Sequence, residues 1–145
     1  MGISMKIWFL LVSIFIMISC SNSADSKLVS SAANGDMELV KSSLVNASSI
    51  DAKANDGWTA LTVSAREGHF GIVELLVNEG ADLNALEGGG NSPLFWAAFG
   101  GHADIVKLLL DKGADLNNKC TECLTAIEVS KRNGHKEIVE ILNNR

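Results

Sequence analysis

The sequence predicts an all-α solenoid of about four helix-turn-helix units, and two observations carry this prediction. First, Gly-His pairs, apolar strings and Gly-Ala-Asp-Leu-Asn segments all recur at one interval of 33 residues. Second, the apolar residues of each string have the 3–4 spacing of an amphipathic helix. A single helix pair of this length cannot bury its apolar side, so stability must come from stacking neighbouring units. The apolar strings span 72–76, 105–109 and 138–142.

The first element of the chain is an apolar leader that precedes the repeats. After Lys6, residues 7–18 are apolar except for Ser13. Twelve helical residues span about 18 Å, which is short of the ~30 Å hydrocarbon core of a bilayer. A transmembrane anchor is therefore disfavoured, and we predict that residues 1–19 form a secretory signal peptide.

The end of this leader resembles a bacterial lipoprotein signal, in which a small residue precedes a cysteine that is lipidated. Ser19 and Cys20 match that pattern, whereas the two residues before them match it loosely. The resemblance implies lipidation of Cys20, a polar tether over residues 20–26, and export to a membrane-anchored place in the bacterial cell envelope. Ordinary cleavage after Ser21 or Ser23 is the alternative, and it gives a periplasmic or secreted soluble protein.

Composition and charge narrow the classes of function. The overall hydrophobic content of 47% and the mean hydropathy of +0.19 are raised by the leader, and the net charge is −5. An acidic chain lacks the basic face that nonspecific nucleic-acid binding requires, so no nucleic-acid partner is expected. Three cysteines are too few for a disulfide-dense small protein.

Within each unit the sequence predicts a first helix, a tight turn, a second helix and a loop. In the second unit, Thr59 is suited to cap a first helix that runs to about Arg66. Gly68 can adopt the left-handed turn that follows, and Gly80 lies where the second helix should end. A weaker copy of the pattern lies upstream. The predicted units span about 27–53, 54–86, 87–119 and 120–145.

The repeats resemble ankyrin repeats, and the third unit carries the resemblance best through residues 90–102, 105–110 and 113–117. The resemblance covers roughly residues 27–145. It implies a non-catalytic module that binds a protein partner through its concave face. This face comprises the turn tips between units and the exposed sides of the first helices.

Departures from the family pattern fall at three places. The position at which the family usually has histidine in its Thr-Pro-Leu-His stretch is occupied by Thr62, Phe95 and Glu128. Lower stability than that of an idealised array is therefore expected. Lys131 and the pair Ser42–Ser43 replace small or apolar residues in the terminal units, where one side faces water.

The resemblance also indicates which residues would contact a partner. Trp58, Trp96 and Phe99 are the most informative, because large aromatic side chains in solvent-facing positions are typical anchors of protein interfaces. The alternative is that these three rings pack against neighbouring helices or turns. On the first helices, Val63 and Val129 are predicted to share the same exposed side. The predicted binding residues are Asn55, Asp56, Trp58, Arg66, Glu67, Asn91, Trp96, Phe99, Leu124 and Arg132.

Two groups of residues invite a metal or redox hypothesis. Stacked units lie about 8–10 Å apart, whereas two ligands of one zinc ion lie within about 4 Å. Histidines that repeat once per unit therefore cannot share an ion, and hydrogen bonds to backbone are expected of them. Cys120 and Cys123 are close enough in sequence to form a disulfide across a turn. Reduced thiols, or a thiol redox or metal-binding role, are the alternatives.

The sequence contains no arrangement of side chains that predicts catalysis. Nothing positions a nucleophile beside a base, and residues 88–90 lack the lysine and hydroxyl residue of a phosphate-binding loop. Glu87 is interpreted as a solvated loop charge. An enzyme is therefore not predicted, and neither is a cofactor, a metal or a small-molecule substrate. A passive spacer on the envelope is the remaining alternative to a protein-binding module.

Overall fold

A computed structural model describes residues 24–54, 56–118 and 124–145, and these residues form eight α-helices in four helix-turn-helix pairs. Residues 24–34 belong to α1, and no β-strand occurs in the described ranges. The predicted all-α repeat solenoid is confirmed. The other helices are α2 (Met37–Asn46), α3 (Ala60–Glu67), α4 (Phe70–Asn78), α5 (Pro93–Gly100), α6 (Ala103–Asp111), α7 (Ala126–Asn133) and α8 (Lys136–Asn143).

Side-chain caps explain where the first helix of each of the last three units begins. In each case a threonine or serine oxygen accepts a hydrogen bond from the backbone N–H three residues further on. Such a bond satisfies one of the N–H groups that lack a partner within the helix. In α7, the carboxylate of Glu128 accepts a hydrogen bond from the backbone N–H of Thr125 and completes a capping box. The capping residues are Thr59, Ser92 and Thr125.

A left-handed glycine ends each of these helices and reverses the chain. Gly68 has φ of +81° and Gly101 has φ of +81°, a region in which residues with a Cβ are strained. The next helix begins two residues later, so this one glycine makes a tight turn possible. The turn brings the two helices of a unit side by side.

The helices form two layers with the core between them. The first helices α3, α5 and α7 pack in one row, and α2, α4, α6 and α8 pack in a second row. Ala65, Ala97 and Ala98 are fully buried, as expected of close-packing positions between neighbouring first helices. Fully buried leucine and isoleucine side chains fill the core. These are Leu28, Leu61, Leu76, Leu94, Ile105, Leu109 and Ile138.

Three histidines connect successive units through the backbone. Each imidazole Nε2 lies within hydrogen-bond distance of the backbone carbonyl oxygen of the residue 36 positions earlier. That residue lies in the last turn of the first helix of the preceding unit. The prediction that these histidines bond to backbone is confirmed, and the acceptors belong to the neighbouring unit. The distances are 3.0 Å from His69 to Ala33, 3.0 Å from His102 to Arg66, and 3.1 Å from His135 to Phe99.

The terminal units depart from this scheme as the sequence suggested. In the first unit Asp36 stands at the histidine position and caps α2 by accepting a hydrogen bond from the N–H of Leu39. The hydroxyl of Ser43 is buried and has no hydrogen-bond partner in the described part of the chain. In the last unit Lys131 is exposed where the third unit buries Ala98. Both ends therefore carry polar groups at positions that are apolar inside the array.

Several predictions fall on residues that the structure does not describe. The leader, Cys20 and most of the tether lie outside the described ranges, and so do Asn55, Cys120 and Cys123. Among the described residues, no helix has both the length and the apolar character needed to cross a membrane.

Candidate protein-interaction surface

Four aromatic rings from two units meet on the concave face and form what we call the aromatic cluster: Trp58, Phe95, Trp96 and Phe99. Trp58 lies in the turn tip before α3, and the other three lie on α5. The centroids of Trp58 and Trp96 are 4.9 Å apart, and those of Trp96 and Phe99 are 5.4 Å apart. Tilted and edge-to-face pairs at such distances are the favoured arrangements of aromatic rings.

The cluster is packed on one side and open on the other. Trp58, Phe95 and Trp96 are half-buried, whereas Phe99 keeps 44% of its surface exposed. The alternative that these rings pack against neighbours is therefore true of both tryptophans in part. Phe95 stands at the family's usual histidine position, and sequence reasoning did not place it in the cluster. The signal that could have placed Phe95 in the cluster is an aromatic residue three positions after the helix cap Ser92.

Arg66 lies over the two tryptophans of the cluster. Its guanidinium carbon is 5.4 Å from the ring centroid of Trp58 and 5.3 Å from that of Trp96. Both distances are within the range of a cation–π interaction. Glu67 is the only charged group in the described residues that reaches ion-pair distance of Arg66, at 3.6 Å from its Nε.

A groove of about 250 Å³ runs beside the cluster, between α1 and the second unit. Its walls combine apolar side chains with two hydroxyls, one carboxylate and the guanidinium. The concave face is therefore indented next to the aromatic cluster. Its lining residues are Ser26, Val29, Ser30, Ala33, Ala54, Asp56, Trp58, Val63 and Arg66.

Glu87 organises the loop that precedes α5, and its interpretation as a solvated loop charge is wrong. Its carboxylate accepts hydrogen bonds from the N–H of Gly89 at 2.6 Å and from the side chain of Asn91 at 2.7 Å. It also accepts a hydrogen bond from the backbone N–H of Asn91 at 3.1 Å. One carboxylate thus fixes a glycine-rich turn that would otherwise have many conformations.

These contacts shift the pKa of Glu87. Partial burial raises the pKa, but the hydrogen bonds from Gly89 and Asn91 together lower it by more than burial raises it. The pKa of Glu87 therefore lies below the ordinary value of 4.5. The indole of Trp96 contributes to the lowering, although its buried N–H forms no hydrogen bond of ordinary geometry with the described residues. The ionised carboxylate is therefore the form that holds the loop.

Acid should loosen this loop in a way that depends on Glu87. Because the folded pKa is depressed, the stabilisation is present above pH 4.5 and is lost as the pH falls through the lower folded value. The amide proton of Gly89, followed by NMR, should titrate with a midpoint below 4.5. E87Q should remove this titration, and a Gly89 shift that still follows the same curve in E87Q would exclude Glu87 as its cause.

The remaining predicted binding residues have mixed placements. Asp56, Glu67, Leu124 and Arg132 are exposed, whereas Asn91 is half-buried and its side chain is engaged by Glu87. Among the described residues no ring or ion-pair contact joins Leu124 or Arg132 to the aromatic cluster.

Two positions of the first helices were predicted to be exposed and are not. Val63 keeps only 8% of its surface exposed and Val129 only 2%, so both belong to the core. Their positions recur at the slot of Trp96, but a valine side chain is short enough to be covered by the neighbouring helices.

Comparison with known proteins decides the family. A family model described as "Ankyrin repeats (3 copies)" matches residues 28–120, which is more than half of the chain. The chain belongs to the ankyrin-repeat family. The pair α7 and α8 lies beyond the matched range, yet it repeats the threonine cap, the left-handed glycine and the histidine bond of the units before it. No curated protein matches the chain.

Membership in the family gives the broad class of function. Ankyrin repeats are in general modules for protein–protein interaction and are typically non-catalytic. In this ankyrin-repeat protein the aromatic cluster places the exposed ring of Phe99 on the concave face.

Proposed function

We propose that this ankyrin-repeat protein is a non-catalytic binding module that holds a protein partner at the bacterial envelope. The partner would contact the concave face, with Trp96 and Phe99 as anchors. The observation that carries the proposal is the aromatic cluster, which is partly exposed and joins two adjacent units through the contact of Trp58 with Trp96.

Physical chemistry favours this use of the cluster. Large rings supply much contact area and lose little conformational entropy when bound, so a few of them often dominate the energy of an interface. The rings of Trp96 and Phe99 are already ordered by their mutual contact at 5.4 Å. A partner therefore gains contact area without first having to order these side chains.

The proposed place of action rests on the leader and Cys20. A secretory signal followed by a lipidated cysteine would export the chain and fix it to a membrane through its acyl groups. The polar residues that follow Cys20 would then separate the membrane from the repeats. A periplasmic or secreted soluble form is the alternative.

The proposed function is tested by replacing Trp96 and Phe99 together with alanine in the full-length protein. The capture of native partners, measured by pull-down and mass spectrometry, should fall by about tenfold or more, because anchor residues typically contribute about 2 kcal/mol or more. F70A is the matched control, since Phe70 is an exposed aromatic residue on the other layer.

Two results would contradict the proposal. Unchanged capture by a correctly folded double variant would remove the cluster as the anchor. A wild-type protein that captures no specific partner would favour a passive spacer. Thermal unfolding of both variants establishes that the fold is intact.

A further inference from the structure

The guanidinium of Arg66 is held in place while most of its hydrogen-bonding capacity remains unused. It lies over Trp58 and Trp96 at 5.4 and 5.3 Å, and its side chain is 46% exposed. Its terminal nitrogens make no hydrogen bond to any residue within the described ranges. The contact of Nε with Glu67 at 3.6 Å joins two exposed side chains, and such pairs contribute little.

We propose that Arg66 binds a carboxylate of the protein partner, in an acidic segment that also carries an apolar side chain. This inference rests on the proposed function and specifies the chemistry of the partner at the same surface. A guanidinium is planar and weakly hydrated, and it can donate two parallel hydrogen bonds to a carboxylate. Because the two indoles already restrict its orientation, less entropy is lost when those bonds form.

The surroundings of Arg66 define the second part of the partner's chemistry. The groove of about 250 Å³ has Val29, Ala33 and Val63 in its walls and Arg66 at its edge. A carboxylate on Arg66 would therefore place a neighbouring apolar side chain either in this groove or on the exposed ring of Phe99. The expected motif is an aspartate or glutamate next to a leucine, isoleucine or aromatic residue.

The other charged groups near Arg66 set limits on this recognition. Asp56 lines the same groove and Glu67 lies 3.6 Å from the guanidinium Nε, so both repel a carboxylate. The carboxylate of Glu87 is bound within its own loop. The net charge of −5 also opposes the approach of an acidic segment at long range. Binding must then come from short-range contact with Arg66, and removing the charge of Asp56 should strengthen it.

The probe that tests this inference is a phage library of random twelve-residue peptides, selected on the immobilised full-length protein. The selected peptides should be enriched in aspartate or glutamate beside an apolar residue. R66Q should lose that enrichment. K136Q is the matched control, because Lys136 is an exposed cation on α8, in the other layer of helices and outside the predicted binding residues.

Titration of the best selected peptide then measures the contact directly. Replacing its acidic residue with the amide should weaken binding by about tenfold or more to the wild type, as for a hydrogen bond to a charged group, and by less than about twofold to R66Q. D56N should bind the acidic peptide more tightly. The backbone carbonyl of Arg66, which accepts from His102, is unchanged in R66Q, so the fold should persist.

Three outcomes would overturn the inference. They are enrichment of acidic peptides that persists in R66Q, enrichment of basic peptides that depends on Asp56, and no enrichment at all. None of these decides the proposed function, which fails only when the alanine variant of Trp96 and Phe99 still captures the native partner or no partner exists.

Discussion

Replacing Leu76 with alanine should lower the free energy of unfolding by about 2–5 kcal/mol, the range for a buried leucine in a packed core. Leu76 is 0% exposed and lies on α4, between two other units. The removed methyl groups leave a space that the neighbouring helices cannot fill without losing their own contacts. In a solenoid the damage extends to both neighbours, because each unit is stable only through its interfaces.

The measurement is equilibrium unfolding in urea, and V45A is its control. Val45 is 83% exposed on α2, so its replacement should change the stability by less than about 0.5 kcal/mol. A loss of under about 1 kcal/mol in L76A would show that the second-helix layer is not a continuous core. Equal losses in both variants would lead to the same conclusion.

Replacing Gly68 with alanine should also be strongly destabilising, for two separate reasons. Its φ of +81° is a left-handed conformation that costs a residue with a Cβ about 1–2 kcal/mol. The new Cβ would also lie 2.7 Å from Nδ1 of His102 and would displace that imidazole. Breaking the bond from His102 to the carbonyl of Arg66 adds about 1–3 kcal/mol if that carbonyl is left unsatisfied.

Gly134 separates these two contributions. It has nearly the same φ, +77°, but no atom of the described residues beyond its chain neighbours lies within 4 Å of a Cβ built there. G134A should therefore show only the cost of the left-handed backbone. Urea unfolding of both variants measures the difference, and equal losses would mean that the histidine contact between units contributes nothing to stability.

Much of the fold could be predicted because the residues that begin and end each helix can be recognised in short stretches of sequence. The interval of 33 residues, the threonine and serine caps and the glycines after each first helix are all readable along the chain. They correctly placed α3 between Thr59 and Gly68 and the end of α4 before Gly80. Short-range hydrogen bonds and backbone preferences decide these features, and neither depends on the rest of the array.

The sequence predicted the type of some contacts between units but not the residues that make them. The sequence indicated that the histidines bond to backbone, but the acceptor 36 residues earlier follows from the register in which units stack. Likewise, Val63 shares a position with Trp96, yet it is buried because its side chain does not reach past the adjacent helices. Side-chain length and neighbour geometry decide such cases, and the repeat pattern contains neither.

The candidate site shows the same division. Trp58, Trp96 and Phe99 were identified from the sequence by residue type and position. Their assembly into one cluster with Arg66 above it required the spacing of two adjacent units. Glu87 was misinterpreted because a carboxylate beside glycines is usually solvated, whereas here the turn folds its N–H groups onto it.

Contact between the aromatic cluster and a protein partner at the envelope, as proposed above, can be measured in cells. A photo-crosslinking amino acid is placed at Phe99 or, as the control, at the exposed Val45 of α2 in full-length protein in its native cells. We expect one discrete cross-linked partner, recovered with the membrane fraction, from position 99 and none from position 45. Equal products from both positions, or a product from position 45 alone, would contradict it.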